Sequence, residues 1–286
     1  MLRRVAPKHL PVGRETLRAD GAQADIQQKM PRFTDQNRIR ALLETDRAWS
    51  VYALGDLAPG FFEKCEWYRT DSAPQALLLL YRAFDIPVLL TQGAAIGIHP
   101  LLDEIAGERV MYLSIKPEIL PLVKTVWKVE HETAMWRMVI RPAAFRPLSV
   151  AAAERLTPGD LKELQSLYDD GQSTGEVPDF FYPAMIEQGV FFGIRENGAL
   201  VAAAGTHLVA PSESVGAGGN VYVRRDRRGR GLAMRVTGAV TAELLRLNLR
   251  TVALNVNQLN TTAIHVYERL GYERHCAFYE GVASKL

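Results

Sequence analysis

The stretch Val221-Tyr222-Val223-Arg224-Arg225-Asp226-Arg227-Arg228-Gly229-Arg230-Gly231-Leu232-Ala233-Met234 decides how this chain is read. Residues 220–224 suit a β-strand. Beyond the arginines and glycines, Leu232, Val236, Val240 and Leu244 recur every four residues, the apolar stripe of a helix. The predicted local order is therefore strand, glycine-containing loop, helix. A helix start exposes backbone N–H groups without intrahelical partners, and its dipole adds positive potential there. Glycine removes the Cβ that would hold a phosphate away from the backbone. Six arginines between Arg224 and Arg235, against Asp226 alone, add charge. The combination suits a diphosphate. A solvated basic loop capping a core helix is the plainer alternative.

Spacing excludes two nucleotide motifs. A P-loop needs Lys-Ser or Lys-Thr after its last glycine, where Leu232 and Ala233 stand. A dinucleotide fingerprint needs Gly or Ala three residues after Gly231, where Met234 stands. Working outward, residues 190–195 and 199–209 form a hairpin across Glu196-Asn197-Gly198. Thr157 caps a helix with Pro158 at its first position, and 180–188 is helical. Residues 149–156 suit a strand. Val252, Leu254 and Val256 alternate on another strand over 251–256. Asn260 caps a helix that runs through Leu270 and stops at Gly271.

Arg228, Gly231 and Ala233 meet the spacing Arg-x-x-Gly-x-Ala at a strand-to-helix junction. A second block follows: Leu254-Asn255-Val256, then Asn260, Ala263, Ile264 and Tyr267-Glu268-Arg269-Leu270-Gly271-Tyr272. Together they closely resemble the signature of the GCN5-related N-acetyltransferases (GNAT), nearest the branch of glycine N-acyltransferase C-terminal domains and their bacterial relatives. The resemblance covers about 140 residues, from Pro147 to the end. It implies an α/β (α+β) fold, a mixed and mainly antiparallel twisted sheet flanked by helices. It also implies acetyl-CoA as acyl donor to a primary amine on a small molecule or peptide, in a ternary complex without a covalent enzyme intermediate. The backbone of Val221, Tyr222 and Val223 would pair with the pantetheine amides. The amides of Arg228, Gly229, Arg230, Gly231, Leu232, Ala233 and Met234 would hold the diphosphate, and Asn260 would contact the pantetheine arm. Tyr267 would protonate the departing thiolate. Without these blocks, Asn260 is simply an N-cap and Tyr267 a core tyrosine. A strand and its neighbour after the long helix should splay to admit the pantetheine.

The attacking amine must lose a proton. A lysine-like amine of pKa about 10.4 is only about 0.04% neutral at pH 7, a cost near 4.6 kcal/mol. His207 is the candidate base, with Asp179 and Glu187 as further acids. A lone strand histidine is more often structural.

The first half lacks the loop. Residues 35–57 look helical, strands are predicted over 75–81, 87–91, 110–115 and 134–140, and helices around 101–106 and 117–126. Pro142 and Pro147 interrupt both periodicities and mark a boundary. The organisation expected is a leader over 1–29, a degenerate GNAT-like half over 30–145 that shapes the acceptor cleft, and a catalytic half over 146–286. Trp49, Tyr52, Trp67, Tyr81, Trp127 and Trp136 are candidate cleft aromatics or core. The leader, with six basic residues against Glu15, Asp20 and Asp25, reads as disordered, or as upstream of a natural start at Met30.

Composition bounds the function. Of 286 residues, 48% are hydrophobic and 23% charged, which suits a folded globular chain. No apolar run approaches the roughly 18 residues of a membrane span. Net charge is +2, and from Arg146 onward fifteen basic residues face fifteen acidic ones, so neither nucleic acid nor membrane is an expected partner. Cys65 and Cys276 alone make no disulfide framework, so a cytoplasmic location is expected. No metal motif is present; His131-Glu132 lacks a second histidine at zincin spacing. A non-catalytic acyl-CoA-binding or sensing module is the alternative function.

Overall fold

The computed structural model describes residues 30–146, 153–176, 178 and 180–286. The expected leader over 1–29, the start of the strand expected over 149–156, and Asp179 lie outside the described residues.

The first half runs α1 (Gln36–Leu43), α2 (Val51–Gly55), β1 (Cys65–Arg69), β2 (Leu77–Tyr81), β3 (Val88–Gln92), α3 (Ala95–Glu104), β4 (Val110–Ile115), α4 (Leu120–Val123) and β5 (Trp127–Ile140). The second runs β6 (Glu154–Arg155), α5 (Leu161–Asp169), α6 (Ala184–Gln188), β7 (Phe192–Glu196), β8 (Ala199–Ala210), β9 (Val215–Val223), α7 (Leu232–Arg246), β10 (Thr251–Asn257), α8 (Thr261–Leu270) and β11 (Glu273–Lys285). The single helical stretch expected over 35–57 is broken by a 3-10 turn at Glu44–Asp46. The helix expected over 117–126 shrinks to one turn, and the strand expected from 134 begins at Trp127. β1 had no clear signal in the sequence.

Local chemistry explains most elements. All five residues of β2, Leu-Leu-Leu-Leu-Tyr, are buried, as a strand covered on both faces requires. Leu78 and Leu80 pack with Ile98, Leu101 and Leu102 of α3, whereas Leu77 and Leu79 pack with Ile39, Leu43 and Leu54 of α1 and α2. Successive side chains thus feed opposite layers. Leu232, Val236, Val240 and Leu244 of α7 lie in the core that also holds Val252, Leu254 and Leu270. Asn260 Oδ1 accepts from the Ala263 N–H at 3.0 Å and starts α8. Gly271 ends it at φ 102°, where an added Cβ would meet the Ala144 carbonyl oxygen at 2.0 Å. Only glycine fits that position.

Among the described residues the strands form one sheet in the order β1-β2-β3-β4-β11-β5-β10-β9-β8-β7-β6. The β3–β4 and β9–β10 pairs are parallel, and the other pairs are antiparallel. The halves repeat one connectivity: β1-β2-β3-α3-β4-α4-β5 matches β7-β8-β9-α7-β10-α8-β11. They are not two separate sheets, however. β5 lies between β10 and β11, and β11 lies between β4 and β5. Each half therefore gives its last strand to the other, so the boundary near residue 146 divides the chain but not the sheet.

Among the described residues no helix is long and apolar enough to cross a membrane. No cluster of three His, Cys, Asp or Glu side chains suited to a metal occurs among them.

Candidate active site

β9 and β10 pair in parallel only from Val215↔Thr251 to Gly218↔Leu254. Beyond Gly218 the two strands part, while β9 stays bonded to β8 through Ala203↔Tyr222 and Ala202↔Val223. A register shift separates Ala203↔Tyr222 from Gly205↔Gly219, and within it Asn220 has a φ of 52°. The strand backbone at 219–223 thus has no strand partner on the β10 side, and the Val223 carbonyl there accepts from Arg228 Nε at 3.3 Å.

The gap leads to the start of α7. Gly229 and Gly231 have φ values of 76° and 73°, and a Cβ at either would meet nothing within 4 Å. Gly231 is the N-cap, and no side chain caps the helix. The first-turn N–H groups of Leu232, Ala233 and Met234 therefore point out of the end of a 15-residue helix. The arginines contribute less charge than their number suggests. Arg224 and Arg227 pair with Asp226, Arg225 with Asp170, Arg228 with Glu176, and Arg227 and Arg230 with Glu196. These partners come from the loop itself, the C-terminal end of α5, the following turn and the β7–β8 hairpin, so five of the six arginines are offset by acids, four of them by acids distant in sequence. The anion-binding capacity rests on the main chain and the helix dipole.

A cavity of about 550 Å³ opens beside the gap, between the halves. Val221, Asn260, Ala263 and Tyr267 line it from the second half, and Tyr52, Tyr81, Phe84 and Tyr112 from the first. Tyr222 points elsewhere, donating to Asp170 Oδ2 at 2.9 Å. Tyr267 is buried against Tyr272, and burial pushes its phenol up to about 12, so it carries its proton at neutral pH.

His207 lines the cavity from β8, with Nδ1 3.1 Å from Tyr52 Oη. Gly219 makes room for the ring, since a Cβ there would lie 2.4 Å from His207 Nε2. Burial pushes the imidazole down to about 4; the Asn220 amide opposes this and the Arg137 charge adds to it. His207 is therefore neutral and a poor proton acceptor, which argues against the base role its position suggested. Glu187 is exposed on α6 and does not line the cavity. Of the candidate cleft aromatics, only Tyr52 and Tyr81 line it. Trp49, Trp67 and Trp127 are buried in the core, and Trp136 packs half-buried under Arg274.

Three polar features went unread in the sequence because strand pairing creates them. Glu280 on β11 accepts from Tyr112 Oη at 3.0 Å and from Asn255 Nδ2 at 3.2 Å. Asn220 and Asn255 each bury a side-chain carbonyl oxygen that has no hydrogen-bond partner among the described residues. Arg137 is wholly buried, its guanidinium enclosed by the rings of Tyr52, Trp49 and Phe278 at 4.7, 5.2 and 5.2 Å.

This architecture is the GNAT acetyltransferase fold, and residues 160–272 match the model of the acetyltransferase (GNAT) family. Among solved structures, a Drosophila protein is similar at TM-score 0.64 and 14% identity, over 89% of this chain and 97% of its own. A GCN5-related N-acetyltransferase from Kribbella flavida is similar at TM-score 0.56 and 17% identity, over 82% and 94%. A tandem GNAT protein of the clavulanic acid biosynthesis pathway is similar at TM-score 0.51 and 13% identity, over 87% and 96%. No curated protein matches the sequence.

Proposed function

We propose that the protein is an acetyl-CoA-dependent N-acetyltransferase acting by direct attack of a primary amine in a ternary complex. One observation carries this reading. The parting of β9 from β10 runs into an uncapped, glycine-flanked helix start, and Tyr267 faces the same cavity. A diphosphate suits the N–H groups of Leu232, Ala233 and Met234, where Gly229 and Gly231 leave the approach open. The pantetheine amides suit the edge of Val221 and Val223, which has no strand partner on the β10 side, although the Val223 carbonyl already accepts from Arg228 Nε at 3.3 Å. Asn260 serves first as the cap of α8 and secondly faces the arm.

In the reaction the neutral amine attacks the thioester carbonyl, and the carbon–sulfur bond breaks with its electron pair on sulfur. The thiolate takes the proton of Tyr267. The surplus proton on the new amide nitrogen restores the phenol. A donor held protonated by burial lowers the cost of a thiolate leaving into an apolar cleft. His207, bonded to Tyr52, acts as a neutral polar wall.

The first half supplies the acceptor side and holds no second donor. Its β3–α3 connection is Gly93-Ala94, without an arginine. Just past its last parallel pair, Leu90↔Ser114, the Trp49 indole donates to the Thr91 carbonyl at 2.8 Å. Titration calorimetry should give one acetyl-CoA per chain, and thiol release should require an amine. Two sites would contradict the division of labour. Tight binding without amine-dependent thiol release would favour a sensing module instead.

A further inference from the structure

We propose that the acceptor is a cationic arylalkylamine without an acidic group, its ammonium received by Glu280 together with the side-chain carbonyl of Asn255. This rests on the acetyl-transfer reading above. Asn255 is the first β10 residue past the last pair with β9, so its side chain stands where the strands part. Its Nδ2 faces Glu280, which fixes the amide's orientation and leaves Oδ1 buried without a donor. Across the gap Asn220, 4% exposed, presents a second buried carbonyl oxygen without a donor. A carboxylate and two unsatisfied acceptors call for a ligand rich in N–H donors, and an ammonium supplies three. The carboxylate also offers a route out for the proton the nitrogen loses before attack, passing from nitrogen to a carboxylate oxygen.

The remaining lining defines the body of the acceptor. Acidic residues in it are Asp56, Glu176 and Glu280, and no lysine or arginine lines it among the described residues. Glu176 is paired with Arg228 near the helix start. Arg137 does not line the cavity; it lies behind the wall among the rings of Tyr52, Trp49 and Phe278, where its charge acts on Glu280. An acceptor carboxylate would meet like charge with no cation to receive it. This disfavours a free amino acid such as glycine as the acceptor. Spanning both halves, Phe84 stands between Tyr81 and Phe180 with ring centroids 5.6 and 5.1 Å away, and Phe180 continues to His207 at 5.7 Å. Such a wall favours an aromatic body and attracts a cation to its faces.

The test compares phenethylamine with phenylalanine, which adds only a carboxylate, alongside glycine and putrescine, with acetyl-CoA binding measured separately by calorimetry. Phenethylamine should exceed phenylalanine and glycine by about 100-fold or more in kcat/KM. Glu280→Gln should raise its KM about 10- to 100-fold while the acetyl-CoA Kd is unchanged. If acetyl-CoA binds but phenylalanine or glycine equals phenethylamine, or no amine of the panel reacts, the assignment of the acceptor is overturned. Putrescine as the best substrate would overturn the aromatic body. Absence of acetyl-CoA binding by the wild-type protein would instead remove the underlying acetyl-transfer reading. The wild-type comparison stands even if the Glu280 variant does not fold.

Discussion

Burial penalises the Tyr267 phenolate and pushes the phenol from its usual value near 10 up to about 12, so it holds its proton into alkaline solution. Tyr267→Phe removes the donor while preserving the ring, so kcat should fall about 10²- to 10⁴-fold. The acetyl-CoA Kd should stay level in calorimetry; unchanged turnover would exclude the tyrosine as the acid. At His207 the same burial acts on a base. Its folded value near 4 lies below the unfolded value of about 6.5, so the unfolded chain binds the extra proton between them. The stabilisation is complete above about pH 6.5 and is lost as pH falls toward 4, by up to about 3 kcal/mol. Denaturant titrations at pH 7 and pH 4 should show that loss in the wild type beyond any loss in His207→Gln. Equal slopes in both proteins would contradict it. Tyr267 and Asn260 were legible in the sequence because their spacing along α8 is local. Glu280 and Arg137 were not, since a charged residue on a strand looks solvent-facing until its neighbours are known. Here those neighbours come from β4, β10 and α2.

At the scale of elements, the strand–loop–helix from β9 to α7 was readable from glycine spacing and the four-residue apolar repeat. The loop's net electrostatics were not. Asp170, Glu176 and Glu196 reach the arginines from other elements, and exposed pairs of this kind add little stability. Anion binding therefore depends on keeping the helix start open. Gly231→Glu puts a carboxylate over the first-turn amides and a Cβ at φ 73°. Acetyl-CoA affinity should fall at least about 10-fold, since charge-assisted hydrogen bonds contribute about 1.5–3 kcal/mol each. A Kd within about twofold of wild type would show that the amides are not the seat.

For the whole molecule, the pairing of halves matters more than their boundary. The proline-marked break and the repeated connectivity could be read or suspected from sequence; the exchange of β5 and β11 could not. Both are amphipathic strands whose partners are set by three-dimensional pairing. A fragment covering 146–286 lacks β5 and exposes the facing edges of β10 and β11. Expressed alone, it should aggregate or self-associate rather than give a monomer with a cooperative melt near that of the full chain. A monomeric fragment with such a melt would contradict the structural role of the exchange.

The most direct measurement is the difference density of the protein crystallised with acetyl-CoA. The diphosphate should lie on the N–H groups of Leu232, Ala233 and Met234, with the pantetheine between β9 and β10. Density for the diphosphate elsewhere, with β9 and β10 zipped together past Gly218 and Leu254, would contradict the assignment.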